Sequence, residues 1–155
     1  MRFCPIFFLT LVSFFGVLLS AGCSETRRPA GDVDENRLPP CPDRPNCVCS
    51  DARDERRGIE PYAITASPQK AWKALHDVLG SLPRVRIVRS TETHVHAEAR
   101  SLVFRFIDDV DFQLRPEQRT IAVRSASRVG YADFGVNRRR IEHIRQLLRE
   151  RGVVR

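Results

Sequence analysis

From residue 102 to residue 114 the apolar side chains occupy alternate positions, Leu102, Phe104, Phe106, Val110, Phe112 and Leu114, with Arg105, Asp109, Asp111 and Gln113 between them. Alternation of this kind predicts a strand with one buried face. Pro116 breaks the run, and beyond it Ile121 and Val123 alternate with Ala122, Arg124 and Ala126. The two runs therefore predict a hairpin around the loop 115–119. Opposed residues share a face, so matching the apolar sides pairs Phe112 with Ile121 or Val123. In either register Asp108 falls beside Ser125 and Ser127, and Arg124 faces Asp109 or Asp111. Asp108 breaks the apolar face, and a buried unpaired carboxylate is costly. It must be paired, protonated or open to a pocket, unless a bulge at Asp108 and Asp109 turns it outward.

Helical spacing appears twice. Ser67 and Pro68 supply a cap and a first-turn proline, after which Ala71, Trp72, Leu75, Val78, Leu79 and Leu82 repeat on one face, with Gly80 and Pro83 ending the helix. Trp72 belongs to the core on this reading. The second helix spans about residues 136–151, with Ile141, Ile144, Leu147 and Leu148 as its buried stripe and Gly152 as its stop. Its outer face is expected to carry Arg138, Arg139, Arg140, Arg145 and Arg149. Residues 59–65 lean towards strand, and residues 85–90 and 95–99 predict two more strands around a turn at 91–93. The order strand, helix, four strands, helix predicts an α+β fold: a curved antiparallel sheet of about five strands packed on a long C-terminal helix, similar to helix-grip or TATA-binding-protein-like architectures.

The start of the chain has a different character. Arg2 precedes an apolar run over residues 6–19, too short for a comfortable bilayer span and followed by Ser20, Ala21, Gly22 and Cys23. This pattern predicts a signal peptide over residues 1–22. Ala21, Gly22 and Cys23 resemble the box at which bacterial lipoproteins are acylated, although Ser20 stands where Leu is usual. Cys23 is thus the expected lipidation site, and Ser24, not Asp, points to outer-membrane sorting where the cell has two membranes. Residues 24–40 are polar and proline-bearing and predict a flexible tether with a limit of roughly 55 Å. One globular domain is expected over residues 41–152. In CPDRPNCVCS, Cys41 and Cys47 suit a small disulfide loop in an oxidising compartment.

The chain of 155 residues carries a formal net charge of +7, nearly all of its cations being arginine. An exported basic domain meets no nucleic acid; anionic lipid, lipopolysaccharide or an envelope protein are the acceptors left, beside plain solvation of the arginines. His94, His96 and Glu98 share a strand face. They are read as solvated, not as metal ligands, because no fourth ligand is evident.

The runs FRFIDDVDF and VRSASRVGYADFGVNRRR, with CPDRPNCV upstream, resemble the uncharacterised family catalogued as domain of unknown function number fourteen ninety-nine, over roughly residues 41–148. The resemblance implies an envelope or plastid protein and no established activity. It also marks Cys49 as unusual, since Ser is more frequent there, and leaves open whether that thiol is free, bridges chains or competes with Cys47 for Cys41.

Two functions follow. One is a non-catalytic, membrane-anchored envelope lipoprotein, without cofactor or metal, binding a partner or small anionic ligand through Asp108, Arg124, Ser125, Ser127, Arg128, Tyr131, Asp133, Asn137 and Arg138. In a purely structural reading of the same segment, Arg124 pairs with Asp109 or Asp111 and Asp133 or Asn137 caps the helix. The alternative is a hydrolase-like enzyme with Asp108 as general base near Ser125 or Ser127 and Arg128 or Arg138 as anion clamp. No nucleophile elbow, metal box or phosphate loop accompanies it.

Overall fold

The computed structural model describes residues 37–155; the expected signal peptide, Cys23 and most of the tether lie outside the described residues. β1 (Cys47–Cys49), β2 (Tyr62–Ala63), α1 (Pro68–Ser81), β3 (Val85–Ser90), β4 (His94–Arg100), β5 (Ile107–Arg115), β6 (Thr120–Ser127) and α2 (Val136–Glu150) follow in chain order. The strands build one curved, open antiparallel sheet in the order β1-β6-β5-β4-β3, with β2 also pairing with β6. The architecture is α+β, as the element order predicts, with one strand more than expected. That strand, β1, hides in the cysteine segment, too short and too proline-flanked to show a period.

Both helices lie on one face of the sheet. Ser67 caps α1 by accepting a hydrogen bond from the Lys70 amide at 3.3 Å, and Ala71, Trp72, Leu75, Val78 and Leu79 are buried beneath it. Val95, Ala97, Val110, Phe112, Ile121 and Val123 from the sheet and Ile141, Ile144 and Leu148 from α2 complete the core. Burying a side chain of this size is worth about 1.5 to 3 kcal/mol. Leu38, Val153 and Val154 are buried as well, so the packed body reaches beyond residues 41–152 at both ends. The core, sheet, helices and disulfide all lie within the compact unit Gly31–Arg155, and this stretch carries its own fold.

The hairpin register is Phe112 opposite Val123, with Asp108 opposite Ser127, Val110 opposite Ser125 and Asp111 opposite Arg124. β5 runs without a bulge against β4; the register break falls in β3, between Ile87 and Arg89. Two expectations fail. The alternation from residue 102 does not become strand: Ser101 closes a loop on Phe106, its N–H donating to the Phe106 carbonyl and its hydroxyl accepting from the Phe106 amide, each at 2.9 Å. Leu102, Val103, Phe104 and Phe106 are left exposed. On α2, Arg145 is not an outer-face residue: its guanidinium lies 4.7 Å from the centre of the Tyr62 ring and donates to the carbonyls of Glu60 and Pro61. Those carbonyls border the short β2 and need donors, which a long planar cation supplies.

Candidate functional site

The polar residues of β5, β6 and the first turns of α2 form two clusters on opposite faces of the sheet. On the helix side, Asp133 sets the start of α2, its carboxylate accepting from the amides of Gly135 and Asn137 at 2.9 Å each. Gly135 turns the chain at φ 78°, a left-handed geometry that favours glycine. Asn137 is thereby delivered to the sheet, fully buried. Its amide oxygen accepts from Ser125 Oγ at 2.6 Å and Arg140 Nη1 at 2.7 Å, and its amide nitrogen donates to the Asn46 carbonyl and Ser127 Oγ, both at 3.0 Å. Arg140, one turn on, donates to Asp108 Oδ2 at 2.5 Å and Ser125 Oγ at 2.9 Å. Asp108 is 5% exposed. It is therefore neither turned outward nor open to a pocket; it is paired.

The chemistry of that cluster is closed. The Ser125 proton goes to Asn137 and the Asp108 carboxylate is held by a guanidinium, so Asp108 is not poised to take a proton from Ser125. Arg140, expected on the outer face of α2, is the residue that closes it. The period of α2 was readable, but not that its first turns lean over the sheet end where Asp108 needs a cation.

On the opposite face an alternating run of charges crosses four strands, β3 to β6. Arg86 donates to Glu98 at 2.9 Å, Arg128 to Glu98 at 2.6 Å and to Asp109 at 2.8 Å. His96 bridges Asp109 and Asp111, at 3.3 Å and 2.8 Å, and Arg124 meets Asp111 at 3.0 Å. The face is not the solvated one expected from the sequence: His94 and Arg124 are about 95% buried. Part of the cover is the chain before β1, where Leu38 packs with Cys49 and Ala122 and the Pro40 carbonyl accepts from Arg124. Burial by itself would lower the pKa of His96, but the bonds to Asp109 and Asp111 outweigh it and raise it to about 9. The Arg86 bond, with help from Arg128, holds Glu98 below its ordinary value. Among the described residues no three potential ligands converge on a metal position.

Other candidates separate from these clusters. Arg138 donates to the carbonyls of Arg56 and Gly58 at the rim of an open groove of about 870 Å³, also lined by Arg53, Glu142, Arg149 and Arg155; Asp108, Ser125 and Ser127 do not line it. Tyr131 projects into solvent. Cys41 and Cys47 form the disulfide, and Cys49 is a free, buried thiol whose pKa burial raises. Asn46 lies inside the Cys41–Cys47 loop, where the sequence offers no signal for it, and His96, expected to be solvated, is instead held between two aspartates. The parity of Asp109 and Asp111 with Arg124 was the available signal for the second cluster.

No curated protein and no solved structure matches this chain. The family comparison does match, over residues 37–148, to the family described as Protein of unknown function (DUF1499). That span takes in every strand and nearly all of α2, and the chain belongs to this family.

Proposed function

We propose that the chain is a non-catalytic domain of the cell envelope, exported by a signal peptide over residues 1–22, anchored through a lipidated Cys23 and facing the periplasm, on the outer membrane where there are two. It holds a partner or ligand and does not transform one. The observation that carries the non-catalytic reading is the inward closure of its polar residues: Asp108 is bound by Arg140 and the Ser125 proton is spent on Asn137. Arg124, Ser125, Ser127, Arg128, Asp133 and Asn137 are likewise committed to contacts within the fold. A hydrolase would need at least one of these groups free and aimed at a cleft. The Cys41–Cys47 bridge supports placement in an oxidising compartment.

The anchor is tested by growing cells on a labelled fatty acid. The wild-type chain takes up label and the Cys23→Ser chain does not; an unlabelled wild-type chain contradicts the reading.

A further inference from the structure

We infer that the end of the sheet formed by the loops 101–106 and 128–135 seats on an anionic lipid surface. The inference deepens the envelope reading and rests on it for the presence of a membrane nearby. β4 ends at Arg100, β5 starts at Ile107, β6 ends at Ser127 and α2 starts at Val136, so both loops leave the same end of the sheet. They are tied to each other where the Arg128 amide donates to the Ile107 carbonyl at 3.2 Å. Between them they display Leu102, Val103, Phe104, Phe106, Tyr131 and Phe134, the last 90% exposed and four of the others above 70%. Phe104 and Phe106 stack on each other, 5.4 Å between ring centres, instead of on the core.

Two features separate this end from an ordinary scatter of surface apolar residues. Arg105 at φ 56° and Phe134 at φ 52° are held in the left-handed region, which residues with side chains adopt at a cost. That cost is borne without any burial of Phe134 in return. The second feature is charge. Arg84, Arg100, Arg105 and Arg139 are exposed at this end, whereas the acid within the two loops, Asp133, is occupied in setting the start of α2. Nearby Asp108, Asp109 and Glu98 are each neutralised by Arg140 or Arg128.

Aromatic and aliphatic tips fringed by arginine, with no free carboxylate, match a bilayer whose phosphates meet the guanidinium groups while the rings enter the acyl boundary. Tyr131 suits the interface, with an apolar ring and a polar tip. From Cys23 to Arg37 an extended chain spans up to about 50 Å, enough for anchor and sheet end to meet one bilayer.

The test uses residues 31–155, which lack both leader and Cys23, floated with vesicles of phosphatidylcholine containing phosphatidylglycerol. The domain floats with these, at least tenfold less with phosphatidylcholine alone, and at least tenfold less again as Phe104→Ser/Phe134→Ser, with melting temperature unchanged. Should that pair impair folding, Leu102→Ser/Tyr131→Ser gives the same readout. Failure of the wild-type domain to float, or equal flotation of the folded variants, overturns the inference. So does a wild-type dimer in sedimentation that the same substitutions abolish while vesicles capture nothing, since the surface then pairs copies of the chain. Acylation of Cys23 is read separately on the full chain: a labelled chain without tip-dependent flotation sinks the lipid-seating surface alone, and tip-dependent flotation of an unlabelled chain sinks the anchor alone.

Discussion

Replacing Arg140 by Ala removes the cation that neutralises Asp108 and the donor that two further oxygens, of Ser125 and Asn137, accept from. Asp108 is 5% exposed and Arg140's side chain 15% exposed, so water replaces the lost contacts poorly. Deleting one member of a buried ion pair costs about 3 to 5 kcal/mol, because the other charge stays buried and uncompensated. The residual opening at this end of the sheet places the expected loss near the lower bound, about 3 kcal/mol. Set against a typical domain stability of about 5 to 15 kcal/mol, that is a large fraction. Asp108→Asn is milder, since Arg140 keeps Ser125 and Asn137 and an amide tolerates burial better than an unpaired charge. In the Asp108→Asn background, Arg140→Ala should therefore cost less than half of what it costs alone. Urea unfolding of residues 31–155 with the disulfide intact measures all four corners of the cycle. If Arg140→Ala costs under about 1 kcal/mol, or if the two substitutions simply add, then Asp108 does not depend on Arg140 and the closed cluster is wrong.

The charged face carries its own expectations. His96 has a folded pKa of about 9 against an ordinary value near 6.5, so its protonation favours the folded state. That stability is fully present below about pH 6.5 and is lost as pH rises through 9. Discounting for solvent access it amounts to about 1 to 2 kcal/mol, and His96→Gln should flatten this part of the stability profile. Arg128→Ala, which removes one cation shared by Glu98 and Asp109 and leaves them Arg86 and His96, should cost about 1 to 3 kcal/mol in urea unfolding; an unchanged midpoint would mean the run of charges is not coupled. Reducing the Cys41–Cys47 bridge should cost about 2 kcal/mol by the loop-entropy relation, read from the shift in urea midpoint. Cys49, buried and with a raised pKa, should react with a thiol reagent slowly in buffer and promptly in urea; equal rates would place it at the surface.

The hairpin was legible because a period of two fixes faces, and faces fix register. Once Phe112 was matched to the apolar side of β6, Asp108 had to meet the serines and Arg124 had to meet an aspartate, and the observed pairs are Asp108 with Ser127 and Asp111 with Arg124. The same rule misled at residues 102–106, where alternation continues into a loop; periodicity does not distinguish a strand from a tip whose apolar groups face outward. The helical period alone places Arg140 and Arg145 in solvent, because a helical wheel contains no neighbours. Their partners, Asp108 and the carbonyls before β2, come from segments distant in the chain. The charged face looked wet for a related reason: nothing local to β4 announces that residues 38–41 and the side chains of β5 and β6 will cover it.

The claim that most needs a direct answer is that this domain is held at the membrane by its own N-terminus. Mass spectrometry of the chain purified from the envelope fraction of cells reads it in one spectrum. The account predicts an N-terminal peptide that begins at Cys23 and carries acyl chains, and a separate peptide pair joined through Cys41 and Cys47 with Cys49 unmodified. An N-terminal peptide that starts elsewhere, or starts at Cys23 without acyl mass, would contradict it.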